Sequence, residues 1–204
     1  MGELTLVERR HRLVEGLYQL GKDLSSDQRH QVAHARKTLA QLRRVAVADR
    51  YEHGAYELVF RHDPPEKEQR VWLMVAGLYA LNPRPHPGKS RLPLCAALGK
   101  LAKVNDGKYA SSAQRRMQQL LTADTDRLSQ DVRASLQMLD AHELPVNFHH
   151  LLRDLLVLLN ADDERASDVR MRWARQFHRP DRESNTTYDT NETSVAEQLQ
   201  ESAT

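Results

Sequence analysis

The sequence contains little that would build disulfides, tight turns or aromatic stacks. Its 204 residues include one cysteine, eight glycines and 5% aromatic residues. The single Cys95 excludes an internal disulfide framework and fits a reducing compartment. Eight glycines are few for an all-β chain, which needs many tight turns. With so few aromatic residues, a core would have to be filled mainly by Leu, Val and Ala.

Long apolar segments are also missing. The N-terminus, MGELTLVERRHR, has no apolar stretch of signal-peptide length. The longest apolar run, Val71 to Leu81, is too short to cross a bilayer and predicts a buried helix. We therefore expect a soluble, cytoplasmic protein with no membrane association.

Positive charge is concentrated in one part of a chain that is nearly neutral as a whole. The protein has 30 Lys and Arg residues against 28 Asp and Glu residues. Between Arg84 and Arg116 there are eight basic residues and one acid, Asp106, which leaves 22 against 27 elsewhere. Segregation of this kind predicts a polyanion-binding surface. Its basic members are Arg84, Lys89, Arg91, Lys100, Lys103, Lys108, Arg115 and Arg116.

The C-terminal segment from Pro180 to Thr204 has the opposite charge. It contains six acids and one base among mostly polar residues, and we expect it to be disordered because it has too little apolar surface to bury. Residues 1–179 keep the other 29 bases and 22 acids, a net charge of +7. One hypothesis is that this acidic tail shields the basic surface from non-specific nucleic acid before assembly.

Helical periodicity dominates the rest of the chain, and no strand pattern competes with it. The prediction is an all-α fold with two small helical-bundle lobes, residues 1–81 and 94–179, joined by the proline-rich basic loop 82–93 and followed by the tail 180–204. The expected helices are Leu4–Leu20, a helix begun by a Ser25/Gln28 capping box, Ala55–Arg61, Glu66–Leu81, Leu94–Val104, a helix capped by Ser111 or Ser112, Asp124–Leu139, a helix capped by Asn147, and a helix from Glu164.

No residue pattern indicates an active site or a metal site. The PGKS at residues 87–90 lacks the glycine of a phosphate loop, because Pro83 stands in its place. His30 and His34 have the i, i+4 spacing of a metal-binding pair, but no third ligand is indicated. His149 and His150 are adjacent and point in different directions. We therefore expect a non-enzyme without cofactor.

The basic residues are the more informative signal. Arg43-Arg44 and Arg115-Arg116 are tandem pairs on helices with defined apolar stripes, and the segment Lys89–Arg116 has too few acids to neutralise it. Such side chains bind phosphate or an acidic protein. Aromatic residues are scarce nearby, so base stacking is poorly supported and sequence-independent backbone binding is favoured. The candidates from this segment include Lys89, Arg91, Lys100 and Lys103. Two alternatives stay open: a helical adaptor whose basic face docks an acidic protein, and a small helical enzyme.

Six motifs give the chain a family resemblance over most of residues 30–178. Their order, with a helical half on each side of the proline loop, resembles the small subunit of the type I-E CRISPR surveillance complex Cascade, the CasB family. The motifs are LAQLRR at residues 39–44, VAGLYAL at 75–81, LCAALGKLA at 94–102, QRRMQQLLTADTDRL at 114–128, LLRDLL at 151–156 and VRMRWARQF at 169–177.

The resemblance implies a non-catalytic, all-α subunit. Family members associate as a pair within the complex and brace the guide RNA–target DNA heteroduplex and the displaced strand, alongside the backbone and large subunits. Their basic side chains contact phosphates. The positions that match are Arg43, Arg44, Lys100, Arg115, Arg116, Arg127, Arg133, Arg172 and Arg175.

Overall fold

The computed structural model of the chain describes residues 4–48, 53–85 and 92–179. Within these ranges the protein is all-α, which confirms the predicted fold class. The acidic tail and most of the proline-rich loop, including Lys89 and Arg91, lie outside the described residues. The helices are α1 (Leu6–Asp23), α2 (Arg29–Ala48), α3 (His53–Phe60), α4 (Gln69–Leu81), α5 (Leu94–Lys103), α6 (Ala110–Thr122), α7 (Thr125–Asp140), α8 (Phe148–Asn160) and α9 (Asp163–His178).

Two of the predicted helix caps, Asp124 and Asn147, are confirmed. Asp124 and Asn147 accept hydrogen bonds from backbone N–H groups in the first turns of α7 and α8, as N-cap side chains do. Thr5 and Glu8 form a capping box at the start of α1. At the start of α2, Ser26 rather than Ser25 accepts from the backbone N–H of Gln28.

The predicted cap of α6 is wrong. Tyr109 occupies the N-cap position, no side chain caps the helix, and α6 begins at Ala110. Ser111 and Ser112 therefore lie inside the first turn, with both side chains exposed. The turn before α6 explains the shift, because Asn105, Asp106 and Gly107 all adopt positive φ and bring the chain into the helix at Tyr109.

The first half of the chain is built around α4. Nine of its residues are buried, including Trp72 and Tyr79, as expected for a helix that is apolar all round. It packs most extensively against α2 and also contacts α3 and α8. In the second half α5 is central: its residues from Leu94 to Gly99 are all buried, and it packs against α6, α7 and α9.

Contacts join the two halves around the ends of α4 and α8. Tyr18, Tyr79 and Phe148 meet edge to face, and the Tyr18 hydroxyl accepts a hydrogen bond of 2.9 Å from the backbone N–H of Phe148. Arg84 forms an ion pair of 2.6 Å with Asp140 at the end of α7. The buried apolar residues form one contiguous cluster that runs from α1 to α9. The division into lobes 1–81 and 94–179 stays a prediction.

Two buried carboxylates repeat the same local arrangement. Glu68 accepts from the Trp72 indole at 3.0 Å and from Arg10 at 2.6 Å. Asp154 on α8 accepts from the Trp173 indole and from Arg172, both at 2.7 Å. Each carboxylate thus satisfies a buried indole N–H and is paired with arginine, which is the condition for burying a charge. Asp154 also lies 3.4 Å from the Nε of the neighbouring Arg153.

Candidate nucleic-acid interface

The clearest candidate surface is a cleft at the N-terminal end of α6. The cleft has a volume of about 430 Å³ and is lined by Ser111, Ser112, Arg115, Arg116, Gln119 and Met138. All of these residues except Met138 belong to α6, where positions three and four apart share a face. The polar lining consists of two guanidinium groups, two hydroxyls and one amide, and every one of these groups has N–H or O–H donors.

Local structure increases the number of donors at this cleft. The first hydrogen bond within α6 runs from the backbone N–H of Ala113 to the carbonyl of Tyr109. The N–H groups of the three preceding residues, 110–112, therefore have no intrahelical acceptor, and no side chain caps them. The first turn also contains no acidic residue. An uncapped helix N-terminus of this kind attracts anions through its N–H groups and its dipole.

The two arginines of the cleft have different surroundings. Arg115 is exposed, and no described carboxylate lies within ion-pair distance of it. Arg116 is half-buried, and its guanidinium donates to the Gln119 side chain at 3.0 Å. That bond orients Arg116 without neutralising its charge. Because α5 and α6 contain no Asp or Glu, the positive charge here is not compensated from within these helices.

The basic residues of α5 lie beside the end of α9. Lys100 and Lys103 are exposed, although the rest of α5 is mostly buried. Gly99 lies directly against the Phe177 backbone, where a Cβ atom would be 2.1 Å from the carbonyl oxygen. This contact brings the C-terminal ends of α5 and α9 together, so that Lys100 is near the last turn of α9 with Arg175.

Arg43 of the N-terminal half is placed by the end of α4. Its Nε donates to the Ala80 carbonyl at 2.7 Å, which satisfies an acceptor in the last turn of that helix. The next residue, Leu81, lines a second cavity of about 260 Å³, between the C-terminal ends of α4 and α7. Leu136 and Gln137 line the same cavity, and the following residue of α7, Met138, lines the α6 cleft. Residues of the last turns of α7 therefore line both cavities.

The remaining predicted residues differ in their exposure and in whether they have an interaction partner. Arg127 and Arg175 are exposed, and within the described part of the chain neither is in an ion pair. Arg44, Lys103 and Arg133 each have an interaction partner.

Arg172, which the family resemblance made a candidate for phosphate contact, is half-buried and paired with Asp154. Sequence periodicity missed this pairing because Asp154 belongs to another helix, 18 residues earlier in the chain.

The one cysteine of the chain does not offer a reactive thiol. Cys95 is fully buried, and burial, with a smaller effect from the Asp154 charge, raises the pKa of its thiol well above the usual value. A thiol in that setting is a poor nucleophile.

None of the described helices combines the length and the apolar character that a membrane crossing requires.

Comparison with known proteins identifies the family. The sequence profile of the CRISPR-associated protein Cse2 family matches residues 38–178. The chain belongs to the Cse2 family. This confirms the resemblance that the sequence motifs indicated, and the matched range extends from α2 to the last residue of α9.

Solved structures of Cse2 and CasB proteins share the fold. CasB from Thermus thermophilus is 26% identical, with a TM-score of 0.55, and the alignment covers 83% of this chain and 97% of that one. CasB from M. ruber is 22% identical, with a TM-score of 0.58 and coverage of 98% and 99%. A chain from a CRISPR RNA-guided surveillance complex is 19% identical, with a TM-score of 0.64 and coverage of 86% and 95%. A comparison with curated proteins gave no significant match.

Proposed function

We propose that this Cse2 protein is a non-catalytic subunit of a CRISPR RNA-guided surveillance complex and binds the phosphate backbones of guide RNA and target DNA. In this role it would hold the displaced strand and stabilise the R-loop, next to the other subunits and a second copy of itself. The observation that carries the proposal is the α6 cleft. Arg115 and Arg116 line it, the first three N–H groups of α6 are uncapped, and α5 and α6 contain no acidic residue.

The donor set of the cleft suits a phosphate group. Guanidinium groups form paired hydrogen bonds with phosphate oxygens, and hydroxyl and backbone N–H donors add directional contacts. A single phosphate has too few oxygens for all of these donors, so the cleft suits a continuous backbone better than an isolated ion. Counterion release from that backbone would supply most of the affinity.

Nothing in the described surface favours reading of bases. Tyr109 is the aromatic residue closest in sequence to the cleft. Its ring packs against the ring of His142, with centroids 4.2 Å apart. Sequence recognition in RNA-guided complexes is carried by base pairing, so a subunit of this kind needs charge and shape only. The arrangement of Arg43, the α7 end and the α6 cleft supports a track that crosses both halves of the molecule.

Exposed apolar side chains offer contacts for neighbouring subunits. Among the described residues, the large ones are Val7 on α1, Phe60 on α3 and Met171 on α9. None of them lines the α6 cleft. In the proposed complex these side chains would contact protein and leave the cleft open to nucleic acid.

Charge reversal at the cleft tests the proposed function. We expect Arg115→Glu/Arg116→Glu to weaken retention of target DNA by the assembled complex by about 30- to 1,000-fold, since each of the two lost charged contacts costs about 1–2 kcal/mol. The readout is DNA dissociation from the purified complex, with circular dichroism to verify that the helices are intact. Lys67→Glu/Arg70→Glu is the matched control. It makes the same change in net charge at two exposed residues near the start of α4, neither of which lines the cleft.

The outcome also separates the adaptor alternative. If the cleft variant no longer joins the complex, although the variant alone binds DNA as the wild-type chain does, the basic face docks an acidic protein instead. If both variants lose DNA equally, net charge rather than the cleft is responsible. Either result contradicts the proposal.

A further inference from the structure

Three side chains from α1 and α8 converge at a position outside the lining of the α6 cleft. His11 and Glu15 are one turn apart on α1, and His149 is in the first turn of α8. Glu15 Oε1 lies 2.8 Å from His149 Nε2, and the rings of His11 and His149 stack with centroids 4.8 Å apart. One ligand atom from each of the three residues can be chosen so that all lie within 4.8 Å of one another.

The chemistry of this cluster is that of a zinc site. Two imidazoles and one carboxylate form a known three-ligand set for Zn²⁺, with a fourth position left for water. Ligand atoms around a tetrahedral zinc are about 3.4 Å apart, given bonds of about 2.0–2.2 Å. Closing the cluster therefore requires shifts of about 1 Å, and the exposed His11 side chain is free to make such a movement.

The histidine pair that sequence spacing indicated, His30 and His34, is not part of this cluster. His11 and Glu15 precede the matched range 38–178, and His149 lies inside it, 134 residues after Glu15. His149 contacts Glu15 and His11 of α1. We propose that His11, Glu15 and His149 form a binding site for Zn²⁺, which would join α1 to α8.

Bound Zn²⁺ would strengthen the connection between α1 and α8. The contact of α1 with α8 is one of the links between the N-terminal helix and the second half of the chain. In the protein without metal, the contacts between α1 and α8 include the Glu15–His149 hydrogen bond, the stacking of His11 on His149 and the hydrogen bond from Phe148 to Tyr18. Bound Zn²⁺ would replace the Glu15–His149 hydrogen bond with three metal–ligand bonds, and ligand bound only to the native state raises its stability.

Calorimetric titration of the full-length protein with Zn²⁺, with a competing chelator, tests the site. We expect one Zn²⁺ per chain and no comparable binding of Mg²⁺, which prefers oxygen ligands. His11→Ala should weaken Zn²⁺ binding by more than about tenfold. This variant removes an exposed side chain, so the fold should be intact. His34→Ala is the matched control, because His30 and His34 are an exposed i, i+4 pair on α2.

Thermal unfolding gives a second readout. At a hundredfold excess over its Kd, Zn²⁺ should raise the unfolding temperature of the wild type and of His34→Ala by roughly 5–10 °C. The unfolding temperature of His11→Ala should change little. The proposal is overturned if the wild type binds no stoichiometric Zn²⁺, if His11→Ala binds it as tightly as the wild type, or if His34→Ala loses binding to the same extent.

Discussion

At the residue scale, what decides the role of each arginine is the acceptor that it meets. Arg43 is bonded to the Ala80 carbonyl, Arg172 is bonded to the buried Asp154, and Arg115 has no carboxylate partner among the described residues. The same residue type thus completes a helix end, neutralises a buried charge, or remains available to a ligand. Of these three arginines, Arg115 is the strongest candidate for binding phosphate.

The pairing of Asp154 makes a stability prediction. Asp154→Asn should destabilise the protein by about 2–3 kcal/mol, because it leaves the Arg172 charge uncompensated beside a buried indole. The expected cost lies below the ~3–5 kcal/mol of fully buried pairs, since the Arg172 side chain is 34% exposed. Urea unfolding monitored by tryptophan fluorescence measures this difference.

Asp162→Asn is the control for that measurement. Asp162 caps α9 and forms an exposed pair with Arg165 at 3.8 Å. Asn is an equally good cap and surface pairs contribute about 0–1 kcal/mol, so this variant should unfold almost like the wild type. Equal destabilisation by the two substitutions would show that burial of Asp154 is not what matters.

At the element scale, the packing of α5 against α9 depends on one glycine. A Cβ at Gly99 would lie 2.1 Å from the carbonyl oxygen of Phe177, and the obstacle is backbone rather than a flexible side chain. The two helices approach more closely there than any other residue type permits. This contact brings Lys100 next to the last turn of α9.

We therefore expect Gly99→Ala to cost about 3 kcal/mol or more, at the upper end of overpacking effects. Gly16→Ala offers a matched comparison, because its Cβ would meet only the end of the Arg61 side chain at 3.6 Å. Gly16 lies within α1, where alanine is the better helix former, so that variant should be stabilised by about 0.5–1 kcal/mol. Chemical unfolding of both variants checks the contrast, and similar effects of the two substitutions would contradict it.

The helices themselves could be predicted from the sequence, because apolar residues recur at helical spacing and caps such as Asp124 and Asn147 precede them. The start of α6 could not, since Ser111 and Ser112 are good caps by residue type and the positive-φ turn at Asn105–Gly107 decided the entry point. The pairing of Arg172 and the meeting of His149 with Glu15 depend on packing between helices distant in sequence, which a periodic pattern does not encode.

At the scale of the whole molecule, basic side chains lie on the exposed faces of helices whose other faces build the core. The core is built by apolar residues of α4, α5 and α8, while Lys100, Lys103 and Arg115 project from helices that otherwise pack inward. The near-neutral total of 30 basic and 28 acidic residues hides this arrangement. The claim on which the proposed function rests is that Arg115 and Arg116 contact phosphates of the nucleic-acid backbone.

The salt dependence of target-DNA binding tests that claim most directly. A phosphate contact contributes about 0.7–0.9 to the slope of log K against log salt concentration. Neutralising both arginines, as Arg115→Gln/Arg116→Gln, should therefore reduce the slope for the assembled complex by roughly 1.4–1.8, whereas Lys67→Gln/Arg70→Gln should leave it unchanged. An unaltered slope in the cleft variant, with the complex fully assembled, would contradict the claim.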